Sequence, residues 1–309
     1  MSAADDTRPA PDAPARFPAL RLYAWSVRRE LWENRSIYLA PLSIGGVALL
    51  GSLLSLAHLH RSMAALQAPA ANAKAAARAA MALFGPYSVS AAAIMLTGLL
   101  VSFFYCVGAL YGERRDRSIL FWKSLPVSDA VTVLAKATLP MVAVPLVTLA
   151  MVYAAQAVTL AASMTMVVAQ GFDPGLYWSH AGLGTMWVML PYGLFVLTLW
   201  HAPLVAWLLM VSAWARRTPI LWVIVPPAAP AILEPLALGT HHVWDFILDR
   251  LWGGGVVWTA HLDGKHPVSR LDQVDFLRVF TWPDIWVGLV FAAVFLAAAI
   301  WLRRRREPV

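Results

Sequence analysis

Six stretches of this 309-residue chain contain no Asp, Glu, Lys or Arg: 36–60, 79–112, 137–172, 174–215, 218–233 and 285–302. A formal charge at the centre of a bilayer costs about 2.5–3.5 kcal/mol on insertion scales. A membrane-crossing helix needs about 20 apolar residues. Charge-free windows of this length therefore point to an all-α, polytopic membrane helix bundle. Composition agrees, since 13% of the residues are charged against about 25% in soluble domains.

The third and fourth windows are separated only by Asp173 and are bracketed by Lys136 and the pair Arg216-Arg217. Both brackets belong on the same side of the membrane, so an even number of spans lies between them. Two fit, joined by the turn-rich run Gly171-Phe172-Asp173-Pro174-Gly175. Pro140, Pro145, Pro191 and Pro203 are the expected kink sites. The fifth window is short and runs into Pro226, Pro227, Pro230, Glu234 and Pro235. It predicts a span that starts near Thr218 and breaks up on the outer side.

Six spans place 17 of the 24 basic residues on one side. The positive-inside rule makes that side cytoplasmic and puts both chain ends there. The expected location is the bacterial cytoplasmic (inner) membrane. Topology and anionic headgroups account for the basic residues, so nucleic-acid binding has no support. The single cysteine, Cys106, sits in an apolar run and excludes an intrachain disulfide.

Residues 1–16 lack the apolar core of a secretory signal and read as a disordered cytoplasmic tail. Residues 17–35 carry Leu20, Trp25, Leu31 and Trp32 near one helical face, with Arg21, Arg28, Arg29 and Glu30 mostly elsewhere. That pattern suits an interfacial helix at the inner headgroups. Residues 36–303 form the six-span domain, and 304–309 a basic cytoplasmic tail. An outer segment at about 236–283 is long for a loop.

The loop after the second span is the most informative. Glu113, Arg114, Arg115, Asp116 and Arg117 precede Ser118 and the apolar cluster Ile119, Leu120, Phe121 and Trp122. Lys123, Ser124, Leu125, Pro126 and Val127 follow. Pro126 stops a helix, and Ser128 or Asp129 can cap the next. An aromatic cluster flanked by ions suits docking to a partner, and equally an interfacial loop dipping into lipid.

From Glu113 to Lys136 the segment resembles the cytoplasmic loop of type-2 ABC transporter permeases, the membrane-spanning subunits of six-helix ABC exporters. There the second span ends in Glu-Arg. A coupling helix, a Pro-x-Ser turn and a Lys opening the third span follow. Glu113, Arg114, Ile119, Leu120, Pro126, Ser128 and Lys136 match. Arg117-Ser118 stands where many members have Gly-Thr. The resemblance implies a coupling helix at about 114–127 seated in a groove of a separate ATP-binding subunit, with charged residues setting register and 119–122 filling the groove. It implies two copies of that subunit, which carries ATP and Mg, and a second permease subunit, identical or different, in a lipid bilayer.

This chain has no phosphate-cradling loop of the form G-x-x-x-x-G-K-[ST]. Gly264-Lys265 is followed by His266, and Gly253-Gly254-Gly255 lacks the lysine. No cofactor and no catalytic or metal site are expected in this chain. Two further features are candidate sites. His201 lies in the fourth window next to Pro203, where an ionisable residue is a candidate for a transport path. His241, Asp245 and Asp249 share a helical face that could serve a membrane-embedded enzyme; an amphipathic outer helix explains the same pattern. A non-transporting assembly or sensor subunit would share the docking loop.

Overall fold

The computed structural model describes residues 19–67, 73–124, 127–252 and 276–305. The tail at 1–16, Leu125, Pro126, residues 253–275 of the outer segment and residues 306–309 lie outside these. Among the described residues the chain is helical throughout, with no strand. Six helices are long and apolar enough to cross a membrane: Ser36–Gln67, Lys74–Arg115, Asp129–Ala169, Pro174–Trp214, Pro219–Leu238 and Pro283–Arg305. This count matches the six charge-free windows and is compatible with a polytopic membrane protein.

The elements in chain order are α1 (Ala19–Glu33), α2 (Ser36–Ser55), α3 (Leu59–Gln67), α4 (Ala73–Ala109), α5 (Tyr111–Arg115) and α6 (Ser118–Ser124). Then follow α7 (Asp129–Thr138), α8 (Val144–Ala169), α9 (Pro174–Ala181), α10 (Leu183–Trp214), α11 (Pro219–Leu238), α12 (His242–Trp252) and α13 (Pro283–Arg305). Helix α10 packs along α13 and crosses α4, which also packs against α2 and α8.

Local chemistry sets the boundaries. Ser128 caps α7 by accepting from the Val131 N–H at 3.3 Å. Gly171 takes a left-handed φ of 77°, which lets the Phe172 N–H close back on the Val167 carbonyl at 3.0 Å in a helix-ending motif. Asp173 then starts α9 by accepting from the Gly175 N–H at 2.8 Å. The turn expected from the sequence is thus present, with α9 added before α10.

Pro140 falls in a five-residue π-helical turn, Leu139–Ala143, between α7 and α8, at an expected kink. Helix α11 corrects the sequence reading. It does not break up but runs to Leu238 with Pro226, Pro227, Pro230 and Pro235 inside it. Each proline removes the backbone bond it would have donated and crowds the carbonyl four residues before it, but leaves the other N–H groups in place. In apolar surroundings the remaining N–H groups have no better acceptor than the helix itself. The helix stops at Gly239, whose φ is 67°.

Candidate docking site and its buried ion network

The charged residues of α1, α5, α7 and α13 converge at one end of the bundle. Lys136 Nζ lies 2.8 Å from Glu30 Oε1 and 3.0 Å from Glu113 Oε1. Arg303 pairs with the other Glu113 oxygen. It also places Nε 3.0 Å from Asp129 Oδ1, an ion pair rather than an aligned hydrogen bond. Arg29 reaches Glu30 Oε1 at 2.7 Å, and the Tyr105 hydroxyl donates to Glu30 Oε2 at 3.0 Å. Glu30, Lys136 and Arg303 are buried. Ions so placed persist because each meets opposite charge and further hydrogen bonds.

Burial pushes the Glu30 carboxyl up, but Lys136 and then Arg29 outweigh it and hold the group below the ordinary carboxylate value. Glu33, at the end of α1, moves the other way. Burial raises its carboxyl, the neighbouring Glu30 adds to the rise, and Arg29 offsets only part of it.

Arg114 is buried and donates to the carbonyls of Ser212 at 2.9 Å and Ala215 at 2.5 Å. The Ser212 hydroxyl accepts from the backbone N–H groups of Leu110 and Tyr111, at 3.0 and 2.9 Å. The corner between α4 and α5 is therefore clamped to the end of α10. Ser212 carried no recognisable sequence signal, because serines inside apolar windows are common in membrane helices.

The expected single helix at 114–127 is two short helices. Asp116 and Arg117 separate them, and Arg117 has a φ of 57°. Left-handed backbone favours glycine, and here an arginine adopts it.

Helix α6 has an inner and an outer side. Ile119 is 1% exposed and anchors it, whereas Leu120 and Phe121 are 59% and 60% exposed. Trp122 lies beneath Arg29, whose guanidinium carbon is 3.8 Å from the ring centroid. It meets Phe121 edge-on at 4.9 Å. Arg115, Asp116, Arg117, Lys123 and Ser124 are exposed, and Ser118 and Val127 are half-buried. Of the segment singled out by sequence, Glu113, Arg114 and Ile119 thus hold the chain together internally. Leu120 and Phe121, rimmed by ions, form the outward surface. On the Ser118 and Trp122 side of α6 opens a cavity of about 860 Å³ whose lining includes Glu33, Leu100, Phe104, Tyr105 and Asp116.

The other candidates lie apart. His201 is buried, with its ring nitrogens 2.9 Å from the Leu197 carbonyl and 3.2 Å from the Leu251 carbonyl. It ties α10 to α12. Arg250, for which the sequence gives no functional signal, is a further tie, as is the Trp200 indole N–H, which donates to the Asp249 carbonyl at 3.0 Å. Arg250 is buried, stacks over Trp200 at 4.2 Å and donates to the Asp284 carbonyl at 2.8 Å. His241, Asp245 and Asp249 are all exposed. Among the described residues no three of His, Cys, Asp and Glu gather where a metal ion could sit. Compared with models of known families, with curated proteins and with solved structures, the chain matches none.

Proposed function

We propose that the chain is the membrane-spanning permease subunit of an ATP-driven ABC exporter, coupled through α5 and α6 to a separate ATP-binding subunit. The observation that carries this reading is the two-sidedness of α6. Ile119 is buried and Trp122 is covered by Arg29, while the neighbouring Leu120 and Phe121 stand exposed. An apolar pair on a rigid base with a charged rim is the form of an interface anchor. The segment's resemblance to the type-2 permease loop supplies the class of partner.

On this reading the charged end faces the cytoplasm, α1 lies at the inner interface, and α6 is the coupling helix. Two ATP-binding subunits, carrying ATP and Mg, engage a pair of permease subunits. ATP-driven movement of α6 is passed to the bundle through stiff links. Trp122 and Arg29 lead to α1, and Glu113, Lys136 and Arg303 lead to α7 and α13.

Co-purification from the native membrane tests the reading. A nucleotide-binding subunit is expected with the wild-type chain and lost in the variant Leu120→Ala/Phe121→Ala. Retained association with normal ATP-coupled flux in that variant would overturn it.

A further inference from the structure

Helix α1 has a second face that takes no part in the ion network. Ser26 and Glu30 are buried, and the Tyr23 hydroxyl meets Thr138 of α7. On the other side Arg21, Trp25, Arg28 and Trp32 are all exposed. Their spacings of four, three and four residues put them on one helical stripe. Arg35, exposed at the junction with α2, takes the next position of the pattern. The sequence reading set the arginines mostly apart from the tryptophans. Instead, the Arg28 guanidinium carbon lies 4.6 Å from the Trp32 ring centroid and 5.7 Å from that of Trp25.

The stripe alternates cations with indoles and contains no carboxylate. Glu30 is turned inward, and Glu33 pairs with Arg29 at 3.5 Å. Stacking on both sides holds Arg28 in place. Indoles favour the boundary between headgroups and acyl chains, whereas a site for a soluble anion has no use for two exposed tryptophans. The cations beside them select negative headgroups.

We infer that the Arg21–Trp25–Arg28–Trp32 stripe, extended by Arg35, is a binding site for anionic phospholipid of the leaflet that α1 borders. This rests on α1 being interfacial and is independent of the docking reading, since no ATP-binding partner takes part. Phosphate oxygens would meet the guanidinium groups, and the acyl chains would run along the indoles.

The test is a lipid titration of the purified full chain in neutral detergent, with bound lipids counted by native mass spectrometry. Phosphatidylglycerol and phosphatidylcholine with identical acyl chains are compared. Wild type is expected to favour phosphatidylglycerol. Arg21→Gln/Arg28→Gln/Arg35→Gln should weaken that binding at least about tenfold, given what each cation contributes near an anionic surface. Arg28→Gln alone should give a partial loss. Arg216→Gln/Arg217→Gln, which removes two exposed cations elsewhere, should leave it unchanged. Glycerol phosphate should not compete.

Several results would overturn the inference. These are no headgroup preference in wild type, a triple variant that keeps the preference, equal loss in the Arg216/Arg217 control, or displacement by glycerol phosphate. Equal binding of both lipids, lost in Trp25→Ala/Trp32→Ala, would leave α1 interfacial but refute anionic selection.

Discussion

Arg29 of α1 and Trp122 of α6 are stacked, with the guanidinium carbon 3.8 Å from the ring centroid. The same arginine contacts Glu30 at 2.7 Å. One side chain therefore joins the short helix α6 to the ion network. A cation–π contact of this kind contributes about 0.5–2 kcal/mol. In a double-mutant cycle, Arg29→Gln and Trp122→Leu should show a coupling energy in that range when denaturation midpoints are compared. Both variants should also speed tryptic cleavage at Arg117 and Lys123. Additive energies with unchanged cleavage would show that the stack does not restrain α6.

Lys136 serves two carboxylates from different elements. Replacing it with Met leaves Glu30 and Glu113 facing each other with less positive charge between them. Breaking a buried ion pair in this way costs about 3–5 kcal/mol. Lys136→Met should be the most destabilising substitution at this end of the bundle. Adding Glu30→Gln should recover part of the loss, because it removes one of the stranded charges. A Lys136→Met protein with wild-type thermal stability would contradict the network.

The pH response follows from the two carboxylates of α1. Glu30 is held below its ordinary value of 4.5, so the folded state binds its proton less readily than the unfolded chain. Its contribution is complete above that ordinary value and is lost as pH falls through the lowered one. Glu33 is raised from the same ordinary value of 4.5. Its ionised form weighs against folding above the raised value, and stability is regained as pH falls through it. Thermal midpoints measured from neutral to acid pH should therefore fall less steeply in Glu30→Gln than in wild type. They should fall more steeply in Glu33→Gln. The reverse order would refute the assignment.

Gly98 marks a close approach of α4 to α8. A Cβ there would sit 2.5 Å from Thr148 Cγ2 and 3.1 Å from Val144 Cγ1. Gly98→Ala should destabilise by about 1–3 kcal/mol, the range for overpacking. Thr148→Ser keeps the hydroxyl that donates to the Val144 and Pro145 carbonyls but removes the obstructing methyl. The double variant should regain most of the loss, measured by denaturant titration in detergent.

Arg117 holds a φ of 57°, a conformation that costs a non-glycine residue about 1–2 kcal/mol. Arg117→Gly should raise the thermal midpoint, because the strain relieved exceeds the roughly 0.5–1 kcal/mol that glycine's extra freedom in the unfolded chain costs. Arg117→Ala separates relief of strain from loss of charge, since it loses the charge and keeps the strain. It should not stabilise.

Much of this architecture is legible in the residues because membrane-crossing helices obey a simple rule. Lys136, Asp173 and Arg216 punctuate the apolar windows, and the spans follow. The candidate docking segment is conspicuous because the charged run from Glu113 to Arg117 gives way abruptly to the apolar cluster from Ile119 to Trp122. What could not be read was direction. Nothing local says that Arg114 turns inward to Ser212 while Arg115 stays exposed, or that Ile119 is the anchor and Phe121 the outward face. Arg114 turns inward to carbonyls 98 and 101 residues away, and Trp122 stacks on Arg29 of a different helix. Helix α11 misled for a related reason. Four prolines signal a broken helix where water can satisfy freed backbone groups, and an apolar setting removes that option.

The ion network also has an order in time. Glu113 and Lys136 leave the ribosome early, whereas Arg303 belongs to the last helix described. At ordinary elongation rates the interval is on the order of ten seconds. Throughout it Glu113 has only a lysine already shared with Glu30, and Asp129 lacks its arginine. The charged end of the bundle is therefore sealed last, by α13, and the nascent protein must hold those carboxylates near water until that helix arrives.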